Sequence, residues 1–133
     1  MKVNGECHCG AITYEAVIDP EKVAICHCTD CQQLSGTAYR TVVPAPGATF
    51  TLLTGEPRKY VKTAESGAKR VHAFCADCGT PIYSSAVNAP PAYNLRLGTI
   101  RQRAELMPKR QNWCRSAQSW EMNLEHIPRF DRV

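Results

Sequence analysis

Short stretches of alternating apolar and polar residues, cut at close intervals by glycine and proline, run through most of the chain. Ile12, Tyr14 and Ala16 alternate with Thr13 and Glu15, the period of a half-buried strand, and Asp19-Pro20 supplies its end. Val23-Ala24-Ile25 predicts a second short strand. Tyr39-Arg40-Thr41-Val42-Val43 predicts a third, stopping at a turn over Pro44-Ala45-Pro46-Gly47. Phe50-Thr51-Leu52-Leu53 and Arg58-Lys59-Tyr60-Val61-Lys62 read as two more, separated by Gly55-Glu56-Pro57 and closed by Ser66-Gly67. Strands over Lys69–Phe74, Ile82–Ser85 and Tyr93–Leu97 follow, with a loop at Asn88–Pro91 and a stop at Gly98. Helix is confined to a turn opened by Thr29-Asp30, continued by Gln32, Gln33 and Leu34 and stopped by Gly36, and to one further turn at Ala104–Met107. The pattern predicts a mainly β, compact single domain of short antiparallel strands over 1–133, without repeats or linkers. Residues 99–133 read as a tail packed on that domain, with Pro128 and Phe130 as apolar anchors and Trp113 and Trp120 as core or cleft walls.

A chain of 133 residues buries roughly two-thirds of its unfolded surface, so it does not need metal merely for want of a core. No apolar run approaches the ~20 residues that span a bilayer, and Met1-Lys2-Val3-Asn4-Gly5 carries no hydrophobic signal segment. These features predict a soluble, cytoplasmic protein with no membrane partner. In a reducing compartment, eight cysteines in clustered groups point to metal rather than disulfides. The formal charge of +4 invites a nucleic-acid reading, but seven ionised cysteines and two divalent ions bring it to about +1. Nucleic acid is therefore a weak expectation, and a homo-oligomer is left open.

Chemistry concentrates in Cys26-His27-Cys28-Thr29-Asp30-Cys31. Residues i and i+2 of an extended strand share a face, so Cys26 and Cys28 point one way and His27 the other. Cys31 reaches back from the helical turn, whose N–H groups favour the thiolate that binds zinc. Gly5-Glu6-Cys7-His8-Cys9-Gly10 is a second C-x-C, and Cys75-Ala76-Asp77-Cys78-Gly79 has the spacing of a zinc knuckle. The two-cysteine groups sum to a four-ligand structural site, Cys7, Cys9, Cys75 and Cys78. That partition leaves Cys26, Cys28 and Cys31 as an open site with a position for water or substrate. Spacing alone leaves the exchanged pairing open. A thioredoxin-like reading of Cys75 and Cys78 is opposed by Gly79-Thr80-Pro81, which cannot continue a helix.

Gly5-x-Cys7-His8-Cys9-Gly10, Cys26-His27-Cys28-x-x-Cys31 with Ser35-Gly36, Gly55-Glu56-Pro57-x-x-Tyr60, Ser66-Gly67 and Phe74-Cys75-x-x-Cys78-Gly79-Thr80 resemble the glutathione-dependent formaldehyde-activating enzyme family, which includes centromere protein V. The resemblance runs from Gly5 to about Gly98 and is weaker at Trp113 to Trp120 and Pro128-x-Phe130. It implies a β fold related to a zinc-containing nucleotide-release chaperone of Rab proteins, and two zinc ions per chain. It implies structural zinc on Cys7, Cys9, Cys75 and Cys78, and a substrate-facing zinc on Cys26, Cys28 and Cys31. The activity it implies is reversible joining of glutathione, or another small thiol, to formaldehyde or a related aldehyde, a carbon–sulfur lyase reaction in reverse. Family members often carry acidic residues after the Gly-Thr-Leu segment; here the chain reads Gly98-Thr99-Ile100-Arg101-Gln102-Arg103, a reversed charge that suits an anionic ligand.

The competing reading closes the second zinc with a protein ligand, Cys114 first and then His27 or His72, and makes the chain a zinc-stapled binding module for a protein or nucleic acid. His8 and His27 are expected to be partly exposed, or else to act as donors beside the metal ligands or as a proton shuttle. The arginines of the last third are expected on a solvated face, with one or two available to hold the carboxylates of a glutathione-like ligand.

Overall fold

The computed structural model describes residues 1–133. Ten strands form two sheets. The smaller has the order β1-β2-β5, from β1 (Lys2–Glu6), β2 (Thr13–Val17) and β5 (Thr51–Thr54). The larger has seven strands in the order β10-β3-β4-β9-β8-β7-β6. Its members are β3 (Ala24–Cys26), β4 (Arg40–Pro46), β6 (Arg58–Thr63), β7 (Lys69–Phe74), β8 (Pro81–Ala86), β9 (Ala92–Arg96) and β10 (Arg110–Asn112). One α-helix, α1 (Thr29–Ser35), follows β3 directly.

Register decides what each face of the large sheet carries. Val43 pairs with Leu95, Leu95 with Tyr83, and Tyr83 with Ala73, so these side chains share a face. All four are buried, and they meet Val3, Tyr14 and Ala16 of the small sheet in one apolar core. Phe50 stacks on Tyr93 at 4.3 Å and meets Tyr83 edge-on. The opposite face is polar: Cys26 pairs with Arg40, Val42 with Arg96, and His72 with Ser84.

Two features of the strand pattern depart from expectation. β4 continues through Pro44 and Pro46, which pair with Asn94 and Ala92 of β9. Its other neighbour, β3, reaches only from Arg40 to Val42, so the missing proline N–H groups face an edge that no strand occupies. The sheets are also not wholly antiparallel, because β10 runs parallel to β3. Its sequence, Arg110-Gln111-Asn112, has no apolar alternation to announce a strand. β1 was equally silent in the sequence; Gly5 stands opposite Tyr14 because a Cβ there would lie 2.3 Å from the tyrosine ring.

The predicted turn at Ala104–Met107 is a 3₁₀ turn over Arg103–Glu105. The C-terminal segment is anchored through Leu106 and Glu121, both buried. From Met122 onward every residue is exposed, and Phe130 is 76% exposed, so neither Pro128 nor Phe130 is an anchor.

Candidate metal centres and the surrounding cavity

The loop after β1 and the loop after β7 meet at one end of the molecule. In the first, Cys7 N–H bonds to Ile12 O at 3.0 Å and Gly10 N–H returns to Cys7 O at 3.1 Å. In the second, Cys75 N–H bonds to Thr80 O at 2.9 Å and Gly79 N–H to Cys75 O at 2.8 Å. Gly79 sits at φ 78°, a region costly for any residue with a Cβ. The two loops are tied by His8 N–H donating to Thr80 Oγ1 at 3.1 Å.

This arrangement brings the sulfurs of Cys7, Cys9, Cys75 and Cys78 within 4.8 Å of one another. Cys7 and Cys9 Sγ are 3.6 Å apart, Cys9 and Cys75 Sγ 3.8 Å. A tetrahedral zinc site with bonds of ~2.3 Å has sulfur edges of about 3.8 Å, so the residues fit that ion. The Ile12 amide donates to Cys7 Sγ at 3.3 Å. Cys78 Sγ lies 3.1 Å from the Thr80 hydroxyl, which is the main reason its thiol is held down at about 5.

The other cluster forms where β3 runs into α1. Cys28 is the N-cap residue, and its sulfur accepts from Cys31 N–H at 3.3 Å. Gly36 ends the helix in the left-handed region at φ 71°. Cys26, Cys28 and Cys31 thereby place three sulfurs within 4.8 Å of one another, with no fourth histidine, cysteine or carboxylate donor in the group. A hydrogen bond from Cys31 holds the Cys26 thiol down at about 5, with the Arg40 charge adding to it, while Cys31 is pushed up. A set of thiols that share protons in this way is suited to a cation that would displace them.

The candidate fourth ligands lie elsewhere. His27 is not partly exposed but buried, with Nε2 2.7 Å from Gln111 Oε1 and Nδ1 against the Glu121 carboxylate; β alternation points it away from the trio. His72 Nδ1 accepts from Arg96 Nη2 at 3.2 Å. Cys114 is exposed; it shares a shallow groove with Cys26, Gln111 and Trp113 but stands outside the sulfur group. His8 is exposed.

Trp113 and Arg115 line both that groove and a second one, which takes in Cys28, Asp30 and Lys62 among others. Trp113 is 52% exposed and takes φ 58°, a left-handed conformation that a bulky side chain adopts only where its surroundings enforce it. Arg115 lies over its ring at 5.0 Å. Gln32 of α1 fixes this segment by donating to Ser116 O at 2.9 Å, and also to His27 O at 2.8 Å. Trp113 is thus a cleft wall, as expected, whereas Trp120 is exposed and flanks a separate shallow groove beside α1.

Sequence reading missed Arg40 and Arg96 as site residues. Both are buried, and both line a cavity of about 720 Å³ with Ser35, Tyr39, Thr80 and Arg103. Their signal was an arginine inside a strand otherwise rich in apolar and β-branched residues. Of the basic run in the last third, Arg103 enters this cavity, whereas Arg101 turns outward to Glu6 at 3.1 Å.

Residues 2–116 match the model of the family described as glutathione-dependent formaldehyde-activating enzyme. The chain belongs to this family. It is 31% identical over 90 residues to a Schizosaccharomyces pombe protein described as an uncharacterized lyase, covering 67% of the chain and 61% of the yeast protein. The chain thus spans about three fifths of that relative. A crystal structure of a Rhodobacter sphaeroides protein superposes with a TM-score of 0.64 at 18% identity, covering 82% of this chain and 99% of the other, a likeness of fold. Within the family frame the seven clustered cysteines divide four and three, and no helix is long and apolar enough to cross a membrane.

Proposed function

We propose that the protein is a zinc-dependent carbon–sulfur lyase-type enzyme that reversibly joins a small thiol, such as glutathione, to formaldehyde or a related small aldehyde in the cytoplasm. The carrying observation is the sulfur trio of Cys26, Cys28 and Cys31, which no fourth protein donor closes, beside a complete four-sulfur cluster. In this reading Cys7, Cys9, Cys75 and Cys78 hold one zinc ion that staples the two sheets, and the trio holds another. When bound there, zinc supplies an open coordination position and a positive charge that favours the thiolate form of an incoming sulfur.

The chain's own residues supply the rest. Gln32 and the Cys28 cap fix the trio's backbone, and Arg40 sets a buried positive charge beside it. The two grooves that Trp113 lines give two approaches, so thiol and aldehyde can meet without exchanging places. In the forward direction a C–S bond forms, the carbonyl π pair moves onto oxygen, and the thiol proton ends on that oxygen. The grooves are shallow and open to water, which can carry the proton from sulfur to oxygen. Addition of thiols to small aldehydes needs little chemical help, so the protein's contribution is chiefly proximity.

The test is zinc K-edge absorption on protein of known metal content, with and without excess glutathione. Two ions per chain, with mean sulfur coordination rising toward four on adding glutathione, is the expected result. Two four-sulfur sites indifferent to glutathione would overturn the reading and favour the binding-module alternative.

A further inference from the structure

The polar face of the large sheet carries more positive charge than the sulfur trio can balance. Arg40 stands opposite Cys26, and Arg96 opposite Val42, which is two residues along β4 from Arg40. The two guanidinium groups therefore share the face on which Cys26 lies. His72 on the same face senses four cations, Arg96, Arg40, Lys62 and Arg70. Only Lys62 has a carboxylate partner, Asp30. Three thiolates with a divalent ion carry one net negative charge, which leaves this interior cationic.

Both arginines also have unused hydrogen-bonding capacity. Arg40 is 5% exposed and Arg96 8%, yet Arg40 Nε and Nη2 and Arg96 Nε have no partner. A buried donor without an acceptor is costly, and burial, with Arg40's charge next, holds the Arg96 guanidinium down at about 9. Both residues line the cavity of about 720 Å³, whose wall adds the hydroxyl residues Ser35 and Thr37; the Thr99 hydroxyl is already taken by Tyr14 and the Arg96 carbonyl. Formaldehyde is neutral and offers a single carbonyl oxygen, which cannot balance two guanidinium charges or meet their N–H groups in parallel. A carboxylate is planar, accepts two parallel N–H bonds, and matches a guanidinium edge.

We propose that this cavity is a carboxylate-binding subsite in which Arg40, which stands opposite Cys26 of the sulfur trio, and Arg96 hold a substrate's anionic end. The carboxylate belongs either to the thiol or to the aldehyde, and the chemistry of the subsite is the same for both. As a statement about substrate this rests on the function proposed above; as a statement about binding it stands alone.

The binding test uses succinate, which has neither thiol nor aldehyde, followed by calorimetry on the zinc-loaded protein, with succinamide as neutral control. Wild type is expected to bind succinate and not succinamide. Arg96→Met, which keeps the side-chain stem, is expected to weaken succinate by about tenfold or more at unchanged zinc content. Equal binding of the two probes by wild type, or an unchanged succinate affinity in a folded Arg96→Met, would overturn the subsite, and the wild-type comparison holds even if the variant fails to fold. A second pair of measurements assigns the carboxylate: mercaptoacetate against 2-mercaptoethanol with formaldehyde, and glyoxylate against formaldehyde with 2-mercaptoethanol. Arg96→Met should lower kcat/KM only for the reagent that carries the carboxylate, and a loss for neither would overturn its role with substrate. Succinate binding that survives while glutathione leaves the zinc spectrum unchanged would sink the proposed function and spare the subsite.

Discussion

His27 and Glu121 meet in the interior, with side chains 1% and 2% exposed, although one lies in the metal loop and the other near the end of the folded chain. Gln111 takes the other ring nitrogen of His27 at 2.7 Å. Gln111 and Glu121 thus flank the histidine on both sides, and the segment between them carries Trp113, which lines the grooves beside Cys26 and Cys28. Glu121→Ala should remove the buried carboxylate that faces His27 Nδ1 and free the segment's end. The expected cost is about 1–3 kcal/mol, read as a lower urea midpoint, together with faster tryptic cleavage at Arg115. A variant with wild-type stability and cleavage would show that the contact does not fasten the segment.

The two sulfur groups should respond differently to loss of one ligand. Cys78→Ser removes a ligand from the cluster that joins the loops after β1 and β7, where a structural zinc contributes on the order of 10 kcal/mol to folding. It should give protein that is largely unfolded or insoluble at 37 °C. Cys28→Ser should keep the far-ultraviolet dichroism of the β fold and lose one zinc per chain, with its thiol-dependent activity. Equal unfolding by both substitutions would contradict the division into a structural and an open site.

Each cysteine group was legible because its spacing is local, but which groups meet was not. Spacing left the exchanged pairing open, the family resemblance implied the division into four and three, and the folded loops after β1 and β7 bring those four sulfurs together. C-x-C and C-x-x-C constrain where sulfurs go almost regardless of the rest of the fold, and the αL stop at Gly36 follows from the same local chemistry. β10 and the His27–Glu121 contact were not legible. Arg110-Gln111-Asn112 has no intrinsic strand signal and pairs with β3 only because the folded domain brings it there. Nothing local marks Glu121 as buried, since charged residues near a chain's end are ordinarily solvated. Arg40 and Arg96 fall between these cases: their strands were predicted, but which face they occupy depends on a register that only pairing defines.

His72 gives the fold an acid-sensitive point apart from its metal ligands. Burial first, and then the charges of Arg96, Arg40, Lys62 and Arg70, hold its ring down at about 4, against an ordinary value of 6.5. The neutral form is also the one that accepts the Arg96 hydrogen bond. Between these two values the unfolded chain binds a proton that the folded chain does not, so the contribution is present above about pH 6.5 and is lost as pH falls toward about 4. With the ring only half-buried, its share is about 1–2 kcal/mol after allowance for solvent screening. Acid also strips metal from thiolates, so the measurement is a comparison of urea midpoints at pH 7 and 4.5 for wild type and His72→Gln. The glutamine can accept from Arg96 but does not titrate, and its variant should lose less stability between the two pH values. Identical losses would mean that the metal sites alone set the acid limit.

Gly5 tests how closely the small sheet is fitted to its neighbour. A methyl group there would meet the Tyr14 ring at 2.3 Å, and Tyr14 cannot swing aside freely because it is fully buried and its hydroxyl lies 2.7 Å from Thr99 Oγ1. That hydrogen bond reaches the turn after β9, so pushing the ring also disturbs Arg96, whose carbonyl accepts from Thr99 at 2.8 Å. Gly5→Ala should therefore cost about 1–3 kcal/mol by overpacking. Tyr14→Phe alone should cost about 1 kcal/mol for the lost hydrogen bond. If the ring moves to accommodate the methyl, the hydrogen bond is already broken in Gly5→Ala, and adding Tyr14→Phe should cost little more. A double-mutant cycle on urea midpoints decides it: fully additive losses would show that Gly5 and Tyr14 act independently and that the contact does not govern the glycine at this position.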